Sequence, residues 1–225
     1  MRFGRTQTTV LKAIMVVVLV AALSPSPAAA QSGTNFAPPP TWKARYDTGD
    51  GARNHVVMRP GWHIDPGPAA IFWDPGRFAA GNYSLSSTIF MFPAGTGDPP
   101  ARVDAPYGVM FGGQDLEGAE PGYFTFMVRN DGAFRVARHS AAGGKDIIPW
   151  RESAFIASWA EGDQGTAKND LAVDVTEESV TFWVNDQEVA RLPRAEVPAE
   201  GVVGLRAGAG LSLHISEVTI GPNRR

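Results

Sequence analysis

Between Ser179 and Ile220 the chain alternates apolar and polar residues at period two. It runs SVTFWVNDQEVARLP, then GVVGLRAGAGLSLHISEVTI, with breaks only at Asn185-Asp186 and at glycines. Strict alternation puts one face of each strand against a core and the other in water, as antiparallel sheets do. The same pattern recurs upstream and predicts strands over 55–58, 70–73, 83–92, 107–111, 122–129, 133–138, 170–175, 180–184, 188–192, 202–206 and 211–220. Asn130-Asp131-Gly132 and Asn185-Asp186-Gln187 supply hairpin turns, because these residues tolerate positive φ. Residues 93–100 and 140–146 read as loops, and 152–160 is the one stretch with a helical pattern. Many short strands at even spacing predict an all-β fold, a two-sheet antiparallel jelly-roll sandwich.

Alternation also assigns faces, since a slip of one residue inverts every side chain. Phe124, Phe126 and Val128 point to the core, which leaves Tyr123, Thr125, Met127 and Arg129 outward. The hairpin partner buries Phe134 and Val136 and presents Arg135. Leu171, Val173 and Val175 point in and Asp174 out; Val180, Phe182 and Val184 point in and Trp183 out.

The ends set the compartment. Arg2, Arg5 and Lys12 precede an apolar run over 13–23 and then Ala28-Ala29-Ala30, the layout of a secretory leader over 1–30. About eleven apolar residues fall short of the roughly 20 that a spanning helix needs, so cleavage is expected rather than an uncleaved anchor. An exported protein, periplasmic or extracellular, follows, with no membrane span after cleavage. Residues 31–40 (QSGTNFAPPP) read as a linker, and 41–222 as a single domain. There are no cysteines, so the core carries stability without disulfides. The leader holds three of the 20 basic residues and no acid, leaving 17 basic against 23 acidic residues, a net −6. That balance excludes the basic field nucleic-acid binding needs. Gly 25 and Pro 18 suit many turns and argue against a helical bundle.

The succession YGVMFGGQDL, YFTFMVRNDGAFRVAR, NDLAVDV, VTFWVNDQEV and GVVGLRAG resembles the concanavalin A-like jelly-roll group over about 107–220. Within that group the chain is similar to exported bacterial domains of the laminin-G-like and 3-keto-disaccharide-hydrolase (DUF1080) type. The resemblance implies a jelly roll and, for the hydrolase type, cleavage of 3-keto-glycosides. In that type we expect an acidic-glutamine strand segment followed by a Gly-aromatic turn, and a Trp or Glu before the Asn that opens the later strand. Lys168-Asn169-Asp170 occupies the last position, with Lys168 before the asparagine.

For the site, the outward set Tyr123, Arg129, Arg135, Asp174 and Trp183 is expected to converge if the strands pair in jelly-roll order. Aromatic faces for sugar C–H patches, beside charged groups for hydroxyls, are what carbohydrate recognition uses. Gly108, Gly112 and Gly113 would leave the floor open. The alternative is a solvated face whose arginines pair with carboxylates and whose aromatics lie under a loop. Gln114 and Asp115, in the Gly112–Glu117 loop, add candidate ligand oxygens. No cofactor is expected; calcium alone stays open there and at Asp47-Thr48-Gly49-Asp50-Gly51, although neither has the ligand spacing of a calcium hand. His55, His63, His139 and His214 are scattered without HExxH, and no GxSxG elbow, P-loop or ExDxxE alternation occurs. The leading expectation is a non-catalytic module for a carbohydrate or glycoconjugate. A 3-keto-glycoside hydrolase and an envelope protein–protein interaction module are the alternatives.

Overall fold

The computed structural model describes Met1 and residues 41–49, 54–93, 104–159 and 165–224. The stretches read as leader and linker (2–40), Asp50-Gly51 and most of the stretch read as a loop over 93–100 lie outside the described residues. Among the described residues, fourteen strands form two wholly antiparallel seven-stranded sheets. The first sheet has the order β1(Lys43–Tyr46), β4(Ala70–Ala79), β13(Gly201–Ala207), β6(Tyr107–Gln114), β7(Gly122–Val128), β8(Ala133–Ser140), β9(Gly143–Glu152). The second runs β12(Gln187–Pro193), β11(Ser179–Val184), β10(Ala167–Val175), β5(Tyr83–Phe92), β14(Ser212–Gly221), β3(Trp62–Asp65), β2(Asn54–Val57).

The core follows from the alternation. Phe111, Phe126 and Phe134 of the first sheet and Phe182 of the second are fully buried. Phe182 crosses the gap between the sheets to meet Phe126 at 5.1 Å and Phe111 at 6.2 Å. Asn185 and Asp186 take φ of 49° and 64°, the left-handed pair that a tight hairpin demands. The Asn130-Asp131-Gly132 turn closes β7 on β8, with Gly132 at φ 85°.

Three strands escaped the pattern: β1, β3 and β9. The first two are four residues long; Trp-His-Ile-Asp of β3 does alternate, but two periods alone do not separate a strand from the turn-rich sequence around it. The third replaces the loop expected over 140–146, because β8 and β9 form a long hairpin turning at Ser140–Gly143. The helix expected over 152–160 is absent among the described residues. Instead, asparagine amides hold that segment. Asn130 bonds both backbone groups of Trp159, Asn169 both of Ala157, and Asn185 the carbonyl of Phe155. Backbone groups satisfied this way do not need the i→i−4 ladder. The segment then drops Ile156 and Trp159 into the core.

Candidate functional site

The outer face of the first sheet has two halves. On one, Ile71, Trp73, Met110 and Leu116 form a second apolar cluster, with Tyr123 and Val202 packed at its margin. Leu116 belongs to the loop between β6 and β7, so that loop covers this half. On the other half, Tyr123, Arg135, His139, Arg206, Arg45 and Asp47 line an open depression of about 460 Å³.

Cross-strand register builds that depression. Tyr123 of β7 lies opposite His139 of β8, and their rings stack at 4.7 Å and 8°. His139 Nε2 is 3.0 Å from the Thr125 hydroxyl, which is fully buried. Arg206 clasps Asp47 with both guanidinium arms, one at 2.7 Å. Arg45 Nη1 donates to the carbonyls of Leu116 and Gly118 at 3.1 and 2.9 Å, anchoring the loop to β1. Arg135 reaches Asp146 at 3.4 Å and lies over the Trp150 ring at 5.2 Å; its buried Nε has no partner among the described residues.

Burial, and then the charges of Arg206 and Arg135, push the His139 imidazole down to about 4, so it is neutral near pH 7. Burial also raises the Tyr123 phenol, whose hydroxyl lies in the field of Arg206, Asp47 and Arg45. The histidine shift has a stability consequence. The folded state resists protonation below the unfolded value of 6.5, so stability is complete above that pH and falls as pH drops from 6.5 to about 4. The loss approaches about 3 kcal/mol. Urea unfolding at pH 7.5 and 4.5 should show this fall in the wild type and a smaller one in His139→Gln. Equal falls would contradict the assignment.

The sequence-predicted residues divide. Tyr123 and Arg135 meet in the depression. Arg129 lies near Arg135 but works locally, pairing with Asp131 through Nε at 3.0 Å and lying 4.3 Å over Trp150. Asp174 and Trp183 do not join them, because β10 and β11 belong to the second sheet and these side chains emerge on its far face. The expected convergence fails because outward alternation says nothing about which sheet a strand enters. Asp174 is nearly buried, with Oδ1 unpartnered among the described residues, as is Trp183 Nε1. Trp183→Ala should cost about 1 kcal/mol of stability, checked by a thermal melt.

Gln114 donates to the Glu200 carbonyl at 3.0 Å and lines a neighbouring depression of about 540 Å³, which also has Tyr123, Arg138 and Arg194 on its walls. The Asp115 carboxylate instead accepts from the Glu120 N–H at 3.0 Å and sets the loop. No group of three metal-ligating side chains exists among the described residues, and Asp47 is held by Arg206. Gly108 serves strand packing rather than an open floor: a Cβ there would sit 2.1 Å from the Phe126 carbonyl oxygen. Asn169 points into the core, not to either face.

His139, Arg206 and Arg45 were missed as site residues, and Asp47 entered only as a candidate calcium ligand. Alternation through Arg135-Ala137-His139 and Val203-Leu205-Ala207 marks the first two as outward. Arg45 and Asp47 required the short β1.

No protein-family model matches the chain, and no curated protein matches it. Solved structures do. The carbohydrate-binding module CBM66 from Bacillus subtilis superposes with a TM-score of 0.57 at 11% identity, over 80% of this chain and 95% of that one. A glycoside hydrolase family 16 protein from Bacteroides ovatus, in complex with a product, gives 0.53 at 10% identity over 83% and 97%. A Bacillus subtilis protein of unknown function with a galectin-like fold gives 0.53 at 9% over 82% and 90%. At these identities the likeness is one of fold. The chain has the concanavalin A-like jelly-roll fold. No helix among the described residues is long and apolar enough to cross a membrane.

Proposed function

We propose that the protein is an exported, non-catalytic glycan-binding domain spanning 41–222, and that it holds its ligand on the outer face of the first sheet. The observation that carries this reading is the stacked Tyr123–His139 pair bordered by Arg45, Arg135, Arg206 and Asp47 around one depression. A flat aromatic pair suits the C–H side of a sugar ring, and guanidinium and carboxylate groups suit its hydroxyls. Fixing these groups beforehand, through Thr125, Asp47 and the β6–β7 loop, lowers the ordering cost of binding.

Within this depression binding is favoured over hydrolysis, because the carboxylates beside it, Asp47 and Asp146, are each ion-paired with an arginine. Glycoside cleavage calls for one carboxyl free to donate a proton and a second for the opposite face. The leader-like layout of residues 1–30, a basic start, an apolar run and Ala28-Ala29-Ala30, supports export.

A thermal-shift screen of the full chain against plain glycans and 3-keto-glycosides, with product analysis of every hit, tests the reading. A ligand at a hundredfold excess over its Kd stabilises by about 2.7 kcal/mol. A shift with intact ligand is expected. A cleaved product would make the protein an enzyme, and silence across the panel would remove the glycan reading.

A further inference from the structure

The charge around the depression narrows the ligand class, and this step rests on the glycan-binding reading. Three guanidinium groups, Arg45, Arg135 and Arg206, line it. Two carboxylates oppose them, Asp47 on Arg206 and Asp146 on Arg135. One positive charge is left over within a chain whose net charge is −3. Among the described residues no carboxylate pairs with Arg45; its Nη1 is used by the carbonyls of Leu116 and Gly118, and its other N–H groups remain for a ligand.

We propose that the site binds acidic sugars, with the single carboxylate of a uronic acid residue taken by Arg45 and the sugar ring set against Tyr123 and His139. A planar oxyanion matches the fork of a guanidinium, which gives orientation as well as attraction. One residual positive charge fits a ring with one carboxylate better than a multiply sulfated one. The adjoining depression shares Tyr123 and carries Arg138 and Arg194 against Glu120 and Glu200, so the neighbouring residue of an oligomer has a place to lie.

The test is calorimetric titration of the full chain with oligouronates (galacturonate, mannuronate and glucuronate trimers), their carboxyl-reduced neutral counterparts and a sulfated oligosaccharide. An oligouronate should bind about tenfold or more tighter than its reduced counterpart, the ratio that one charge-assisted hydrogen bond supports. That advantage should shrink in high salt. Arg45→Gln should abolish it, while Arg45→Lys, which keeps the charge and can still reach the loop carbonyls, should retain part of it. A circular-dichroism melt of each variant identifies loss through misfolding. Equal binding of the uronate and reduced forms, or binding of neutral or sulfated sugars alone, would overturn the acidic-sugar inference and leave glycan binding standing. No binding by any sugar, here or in the wider panel, would overturn both.

Discussion

Tyr123→Ala is expected to weaken glycan retention by about thirtyfold or more, about 2 kcal/mol, while the sandwich stays folded. Two features give this expectation. Tyr123 lines both depressions, so truncation removes a wall from each. It also removes the ring that stacks on His139, leaving that imidazole with only Thr125 to orient it. The side chain lies on the outer face, half-buried and outside the main core cluster, so the stability cost should stay near 1–2 kcal/mol. Tyr123→Phe separates the contributions: it keeps the ring and loses the hydroxyl that faces Arg45 and Arg206, and should fall between wild type and alanine. Affinity electrophoresis paired with a urea melt reads both quantities. Retention falling only in proportion to stability would mean that Tyr123 packs rather than binds.

The second large effect is structural. Asn169→Ala is expected to cost about 3 kcal/mol or more, because this fully buried amide uses all its hydrogen-bonding capacity. Nδ2 donates to the Tyr107 hydroxyl at 2.9 Å and to the Ala157 carbonyl at 2.9 Å. Oδ1 accepts from the Ala157 N–H at 2.9 Å and from Asn185 Nδ2 at 3.1 Å. Alanine would leave four polar groups without this partner, including a phenol that burial pushes up to about 12. It would also release the segment that carries Ile156 and Trp159 into the core. The urea midpoint should fall by more than about 1 M with an unchanged slope. A change within experimental scatter would show that water satisfies these groups.

Asn169 also shows what alternation cannot convey. Its place at the start of β10 was visible, and the family resemblance drew attention to it, but a core-facing asparagine reads in sequence like any polar residue at a strand end. Its partners come from three places: Tyr107 on the facing sheet, Ala157 in the 153–159 segment and Asn185 at the following hairpin turn. By contrast, the inward faces of β7, β8, β10 and β11 were legible because one apolar side chain at every second position admits one register. The site was half legible for the same reason. Tyr123 and Arg135 belong to a hairpin, where local sequence fixes the pairing. Asp174 and Trp183 belong to another, and the sheet each hairpin enters depends on long crossovers. Arg45 and Asp47 come to the face only through β1, whose four residues carry too little pattern to be seen.

Hydrogen-exchange footprinting of the full chain with the sugar that gives the largest thermal shift tests the central claim most directly. Protection confined to β1, β7, β8 and the Arg206 region of β13 is the predicted result. Protection over β10 and β11, around Trp183 and Asp174, would place the ligand on the other sheet and contradict it.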